Sequence, residues 1–251
     1  MEFRKARLAT LFAAVIIAGC STTPPSRSTV YQQPAATKVG SAPASLSAAR
    51  SQLATLESDA RVSATLQWAA DYLDQQRESD ANQLLADLNP QAMNEEQRFH
   101  WILLSGRAQL GDQQADETLA LLQTHEDDIL QYPAERQARL DLLKADALAM
   151  NGDLISSLQQ RVAAQPLLDD EDQEYNHGMI WQLLMQLPNT ELADAIDGSS
   201  GDLRGWLTLA QLYRDPIADL DAQVSRLDQW SAQWRSHPAI ADVPDIMDAL
   251  E

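Results

Sequence analysis

Apolar residues recur along most of this chain at spacings of three and four. Leu53, Leu56, Ala60 and Val62 begin the pattern, and Leu66, Ala69, Ala70 and Leu73 continue it. Leu84, Leu85 and Leu88 form a shorter run that ends at Asn89-Pro90. Trp101, Leu104, Ala108 and Leu110 stop at Gly111-Asp112, and Leu119, Leu121 and Leu122 follow. Leu140, Leu143, Ala147 and Met150 stop at Asn151-Gly152-Asp153, before Leu154, Leu158 and Val162. Later runs cover Met179 to Leu187, Leu203 to Tyr213 and Leu220 to Trp234. Stripes at this period are the buried faces of amphipathic helices, and Gly, Asn, Asp and Pro between them end one helix and start the next. Runs of β-branched and aromatic residues suited to strands are missing after residue 19. The pattern predicts an all-α domain over residues 47–251.

The helices look paired, which prompts a search for an internal period. Trp206-Leu-Thr-Leu209-Ala210-Gln-Leu-Tyr213 resembles the opening of a tetratricopeptide (TPR) repeat, Trp-x2-Leu-Gly-x2-Tyr, with Ala in place of Gly. Ala222 falls 16 residues after Trp206, where that repeat carries its second-helix alanine. Weaker copies are Trp101/Leu104/Ser105/Ala108, Leu140/Leu143/Lys144/Ala147 and Leu66/Ala69/Ala70/Leu73. Starts at 66, 101, 140 and 181 lie 35, 39 and 41 residues apart, and the step to Trp206 is only 25. The expectation is a divergent, TPR-like solenoid of antiparallel helix pairs, with an irregular helical bundle as the alternative.

The first residues belong to a different pattern. Arg4, Lys5 and Arg7 precede an apolar run from Leu8 to Ile17, and Ile17-Ala18-Gly19-Cys20 follows. A basic start, about ten apolar residues and small residues at a cut site mark a secretory signal. The run is shorter than the roughly 20 residues of a membrane-spanning helix. Its end resembles a bacterial lipobox, which implies removal of residues 1–19 and attachment of lipid through the Cys20 sulfur. Cys20 is the single cysteine of the chain. Residue 21 is Ser rather than the Asp that retains many lipoproteins in the inner membrane. The resemblance therefore implies an outer-membrane anchor on the periplasmic side. Residues 20–46 hold four of the 11 prolines among many Ser, Thr and Ala. Such a segment buries too little apolar surface to offset its ordering entropy, so it reads as a flexible tether.

Charge narrows the partners. The chain carries 37 acidic and 18 basic residues, a formal net charge of −19. Without residues 1–19 the balance becomes 36 against 15, or −21. That disfavours nucleic acid and anionic lipid surfaces, which attract basic proteins. Only three of the basic residues are lysines. Such a balance suits a salt-adapted source as well as an ordinary solvated helical surface.

Catalytic chemistry has no foothold in the pattern. His100, His125, His177 and His237 are scattered, with no His-Glu-x-x-His or His/Cys cluster for zinc. There is no Gly-rich phosphate loop and no G-x-S-x-G turn. Asp169-Asp170-Glu171-Asp172 lacks the glycine of a calcium loop and reads as the acidic start of a helix. His125-Glu126-Asp127-Asp128 reads the same way. His237-Pro238 reads as a loop after the last helix. The expectation is no enzyme, no cofactor, no metal and no small-molecule substrate. The six tryptophans, at 68, 101, 181, 206, 230 and 234, read mainly as core, with room for one or two to line a partner groove.

One block is more specific. Gly205-Trp206-Leu-Thr-Leu-Ala-Gln-Leu-Tyr213-Arg, then Leu227-Asp-Gln-Trp230, then Trp234-Arg-Ser-His237-Pro238-Ala239 resembles the penicillin-binding protein activator family, lipoproteins of the LpoA/LppC type. The resemblance implies a TPR-like N-terminal half and a non-catalytic role. The protein would activate a bifunctional class A penicillin-binding protein, a peptidoglycan synthase, by direct contact. An activator of this kind must bind the synthase's active state better than its inactive state. Family members continue into a larger C-terminal domain resembling periplasmic substrate-binding proteins, and this chain stops at Glu251, about where that would begin. A short homologue, a truncated product and a fragment all remain open, and the partner-binding residues are unknown. The competing reading is a TPR-like lipoprotein adaptor in envelope assembly.

Overall fold

A computed structural model describes residues 40–215 and 220–243. Among these residues the regular structure is helical, and no strand occurs. The helices are α1 (Leu46–Leu53), α2 (Ser58–Asp74), α3 (Glu78–Ala86), α4 (Glu95–Gly111), α5 (Ala115–Thr124), α6 (Glu126–Ile129), α7 (Ala134–Met150), α8 (Leu154–Ala164), α9 (Asp170–Gln186), α10 (Asn189–Gly198), α11 (Gly201–Arg214) and α12 (Leu220–Gln233). Short 3-10 turns occupy Pro90–Ala92, Gln165–Leu167 and Pro238–Ala241. The described residues divide into two compact units, 40–174 and 175–243.

Local chemistry starts the helices. Ser45 caps α1 by accepting from the Ala48 N–H at 3.2 Å. A reciprocal capping box opens α4: Asn94 accepts from the Gln97 N–H at 2.9 Å, and Gln97 accepts from the Asn94 N–H at 3.2 Å. Asp153 caps α8 through the Ser156 N–H. The acidic run is indeed a helix start. Asp169 accepts from the Asp172 N–H at 2.9 Å, and Asp170, Glu171 and Asp172 fill the first turn of α9.

In unit 40–174 the pairs α2/α3, α4/α5 and α7/α8 pack internally, and each first helix also packs on the first helix of the next pair. Each pair turns by the same device. Gln76, Gln113 and Gly152 have φ of 58°, 63° and 84°, and each sits just past a 17-residue first helix. The N–H groups of Arg77, Gln114 and Asp153 reach back to the carbonyls of Tyr72, Gln109 and Leu148 at 2.8–2.9 Å. Those of Gln76, Gln113 and Gly152 reach Leu73, Leu110 and Ala149 at 3.0 Å. This is the Schellman motif, repeated three times.

Three apolar clusters fill this unit, the smallest being Ala138, Ala164 and Leu168 with Leu142; the two larger ones span most of it. One combines α1, α2 and α3 with Leu104 and Ala108 of α4, and the other joins α4, α5 and α7 with Tyr132. Trp101 packs on both, and its indole N–H donates to the Leu85 carbonyl at 3.1 Å. Gly106 lets α4, α5 and α7 close, since a Cβ there would lie 2.5 Å from Leu143 Cδ2 and 3.2 Å from Thr118 Cγ2. An ion pair reaches into the interior of these helices: Arg161 of α8, 1% exposed, binds Asp146 of α7, whose side chain is 31% exposed.

The predicted repeat starts at 66, 101, 140 and 181 all fall in first helices, α2, α4, α7 and α9. Their uneven steps have simple causes. Helix α6 is inserted between α5 and α7, and the Gln165–Leu167 turn between α8 and α9. The short step to Trp206 arises because Trp181 lies late in α9 and Trp206 early in α11. The apolar run that starts at Leu53 is interrupted between Leu53 and Ser58. Contacts with the helices also begin before residue 47. Trp68 Nε1 donates to the Gly40 carbonyl, the Ala42 N–H to Asp71, and the Tyr72 hydroxyl to the Pro43 carbonyl, all at 2.7–2.8 Å. Residues 40–45 are thus fastened to α2. Cys20 and residues 1–39 lie outside the described residues.

In unit 175–243, α10 packs on α11 and α11 on α12. Leu183, Leu184, Leu187, Leu207 and Leu209 are buried. Arg214 closes the end of α9 by donating to the carbonyls of Leu184 and Leu187, at 3.2 and 2.6 Å.

Candidate functional site: an aromatic–histidine cluster and an apolar groove

The residues carrying the family resemblance meet in unit 175–243. His237 follows the last helix, as expected, but its side chain turns inward and is buried. Its Nε2–H donates to the Asp202 carbonyl at 2.8 Å, and the Ala239 N–H donates to its Nδ1 at 3.1 Å. That pattern requires the neutral ring with the proton on Nε2. Burial lowers its pKa below the ordinary imidazole value, against the backbone acceptor at Asp202.

Three tryptophans enclose the ring. Trp206, Trp230 and Trp234 meet it edge-on, with centroids 5.2–5.7 Å away. Trp230 and Trp234, four residues apart, stack at 6.3 Å. Trp230 Nε1 donates to the Gly205 carbonyl and to Thr208 Oγ1. His177 meets Trp206 edge-on at 5.4 Å, with its Nδ1 3.6 Å from Asp242. Gly205 is required by proximity: a Cβ there would lie 2.4 Å from the His237 ring. The cluster therefore locks the Pro238–Ala241 turn onto α11. The expectation placed His237 after the last helix but did not foresee its burial, because a lone histidine before proline carries no periodicity. The usable signal was Gly205-Trp206 taken with the Trp230, Trp234 and His237 spacing.

Of the other tryptophans, Trp68 is buried, and Trp101 and Trp181 are half-buried. His100 Nδ1 lies 2.9 Å from the Glu96 carbonyl, and burial lowers the ring's pKa. His125 lies 3.2 Å from Asp128 and edge-on to Trp101. Among the described residues no group of three or more His, Cys, Asp or Glu could hold a metal ion. Nor is any described helix long and apolar enough to cross a membrane.

The second feature lies in unit 40–174. Helices α5, α6 and α7 enclose a groove of about 420 Å³. Leu119, Leu122, Ile129, Leu130 and Leu140 supply its apolar surface, and Gln123, Glu126, Gln137, Asp141 and Lys144 its polar edge. Asp128 of α6 bonds to Arg98 and His125, while Gln137 donates to the Tyr132 carbonyl at 2.8 Å. These bonds hold the inserted segment in place, and Leu130 is left 62% exposed. Burial raises the Asp141 pKa against the pull of Lys144.

Comparison with known proteins matches this architecture. The family described as "LppC putative lipoprotein" matches residues 51–251. The Penicillin-binding protein activator LpoA of Shigella flexneri serotype X is 26% identical over 241 residues, 94% of this chain and 34% of that protein. LpoA of Escherichia coli K12 gives the same identity and coverage. The chain thus spans about a third of the length of these relatives. The N-terminal domain of Haemophilus influenzae LpoA superposes with a TM-score of 0.65 at 21% identity, covering 83% of this chain and 94% of that domain. The amino-terminal domain of E. coli LpoA gives 0.58 at 21%, covering 80% and 88%. The structural matches establish a shared fold. With that fold and a family match across 51–251, the chain belongs to the LppC lipoprotein family.

Proposed function

We propose that this chain is the helical part of an envelope regulator that activates a class A penicillin-binding protein by direct contact. The observation that carries the reading is similarity across 94% of the chain to proteins named Penicillin-binding protein activator LpoA. Stacked helix pairs suit the role, because each pair contacts only its neighbours and the stack presents extended surfaces. Lipid on Cys20 would tether the domain to the outer membrane on the periplasmic side, through a linker ending near Gly40. Several acyl chains anchor firmly, since each buried methylene contributes about 0.8 kcal/mol.

Purified class A synthase from the same envelope, assayed for glycan polymerisation and cross-linking with and without this chain, tests the reading. Faster turnover and co-purification are expected. Recovery of outer-membrane assembly components without a synthase would favour the adaptor reading and sink this one. Mass spectrometry of the membrane-extracted protein tests the anchor, which predicts a mature N-terminus at Cys20 carrying acyl mass.

A further inference from the structure

We propose that the groove between α5, α6 and α7 is a docking site for a short apolar segment of another polypeptide that carries a lysine or arginine. This site does not depend on the synthase reading and concerns a surface of its own. Among the described residues only Leu130 and Leu167 are large apolar side chains with high exposure, and Leu130 lies in this groove beside Ile129 and Leu119. An exposed leucine edging a leucine-lined recess is a surface that gains by being covered. The recess has space for a few side chains, the scale of a peptide rather than of a second folded domain.

Charge identifies the occupant. Glu126 and Asp141 line the groove; Asp141 shares it with Lys144 one turn along α7, and Glu126 has no ion-pair partner among the described residues, so the lining carries a net negative charge. The nearby arginines are already engaged: Arg98 with Asp128, Arg136 with Glu95 and Glu96, and Arg139 with Asp169 and Asp172. Among the residues lining the groove, Lys144 is the one cation. The net negative edge, with Glu126 unpaired, favours a cation that the occupant brings, next to surface that takes its apolar residues. Charge complementarity of this kind gives specificity and salt dependence more than raw affinity. The groove owes its existence to α6. The other connections between pairs in this unit, after α3 and after α8, carry 3-10 turns in its place.

The test uses the chain from residue 20 onward with Cys20→Ser, so that no lipid competes. The probes are a fluorescein-labelled peptide of Leu, Lys and Gln and the same peptide with Glu for Lys, read by anisotropy. The lysine peptide should bind and weaken with added salt, and the glutamate peptide should not bind. Leu130→Ser, at an exposed position, should leave the circular dichroism and Tm unchanged and weaken binding about tenfold. Glu126→Gln with Asp141→Asn should weaken it about fivefold and flatten the salt dependence. Lys144→Gln should strengthen it. No binding of the lysine peptide, equal binding of both peptides, or indifference to Leu130→Ser would overturn the proposal. So would isolated peptidoglycan binding in its place with loss in Leu130→Ser, which would make the groove a glycan site. A Leu130-dependent dimer with no peptide binding would make it a contact between copies.

Discussion

At the scale of single residues, buried polar groups carry the most specific demands. His237 is neutral, desolvated and bonded at both ring nitrogens. Its folded pKa is lowered, so the unfolded chain takes up the proton first as pH falls. The cluster's contribution is complete above about pH 6.5, the ordinary imidazole value, and is lost as pH falls below it toward the folded pKa. Urea unfolding followed by tryptophan fluorescence should show lower stability at about pH 5.5 than at about pH 7.5. His237→Asn, which can keep an acceptor near Nδ1, should reduce that slope, and an unchanged slope would assign it elsewhere. The Arg161–Asp146 pair makes an asymmetric prediction. Asp146→Ala takes its carboxylate from a guanidinium that is 1% exposed, whereas Arg161→Met leaves a carboxyl that burial already pushes toward protonation. The first should lose about 3–5 kcal/mol and the second distinctly less, as read by denaturant midpoints. Neither residue stood out beforehand. A buried arginine in α8 looks like any surface arginine until its helix is docked, because burial is a tertiary property.

At the scale of elements, the helices were legible because their apolar periods are long and their stops are frequent. The four weak repeat starts all fell in first helices, where a large residue fills the space between neighbours. The turns were only partly legible. Asn151-Gly152-Asp153 announces its left-handed residue with glycine. Gln75-Gln76-Arg77 and Asp112-Gln113-Gln114 adopt the same conformation with glutamine, which has no preference for it. Packing of the paired helices overrides that local cost. Gln76→Gly and Gln113→Gly should therefore each stabilise the fold by about 1 kcal/mol, visible as a raised Tm. A lowered Tm would mean that the glutamine side chains contribute contacts worth more than the strain. The inserted α6 and the fastening of Gly40 escaped notice for a related reason. Both are fixed by bonds to distant residues, Asp128 to Arg98 and Gly40 to Trp68.

At the scale of the molecule, net charge dominates. A formal charge of −19 on 251 residues opposes compaction through self-repulsion, and salt screens that repulsion over a Debye length of about 10 Å at 0.1 M. Raising NaCl from near zero to about 0.5 M should raise the Tm, and a flat response would mean that local pairs already neutralise the field. The repeated turn sets a different kind of limit. Within the pairs α2/α3, α4/α5 and α7/α8 every connection has three residues and one geometry, while the connections between pairs vary in length and hold α6 and 3-10 turns. A residue added inside a pair would rotate the second helix by about 100° and turn its apolar face away from its partner. Growth and loss of sequence are thereby channelled to one kind of joint. The segment from His125 to Pro133 is such a joint: a helix inserted there added a recess while the pairs on either side kept their geometry, so joints of this kind let recognition change while the stack stays the same.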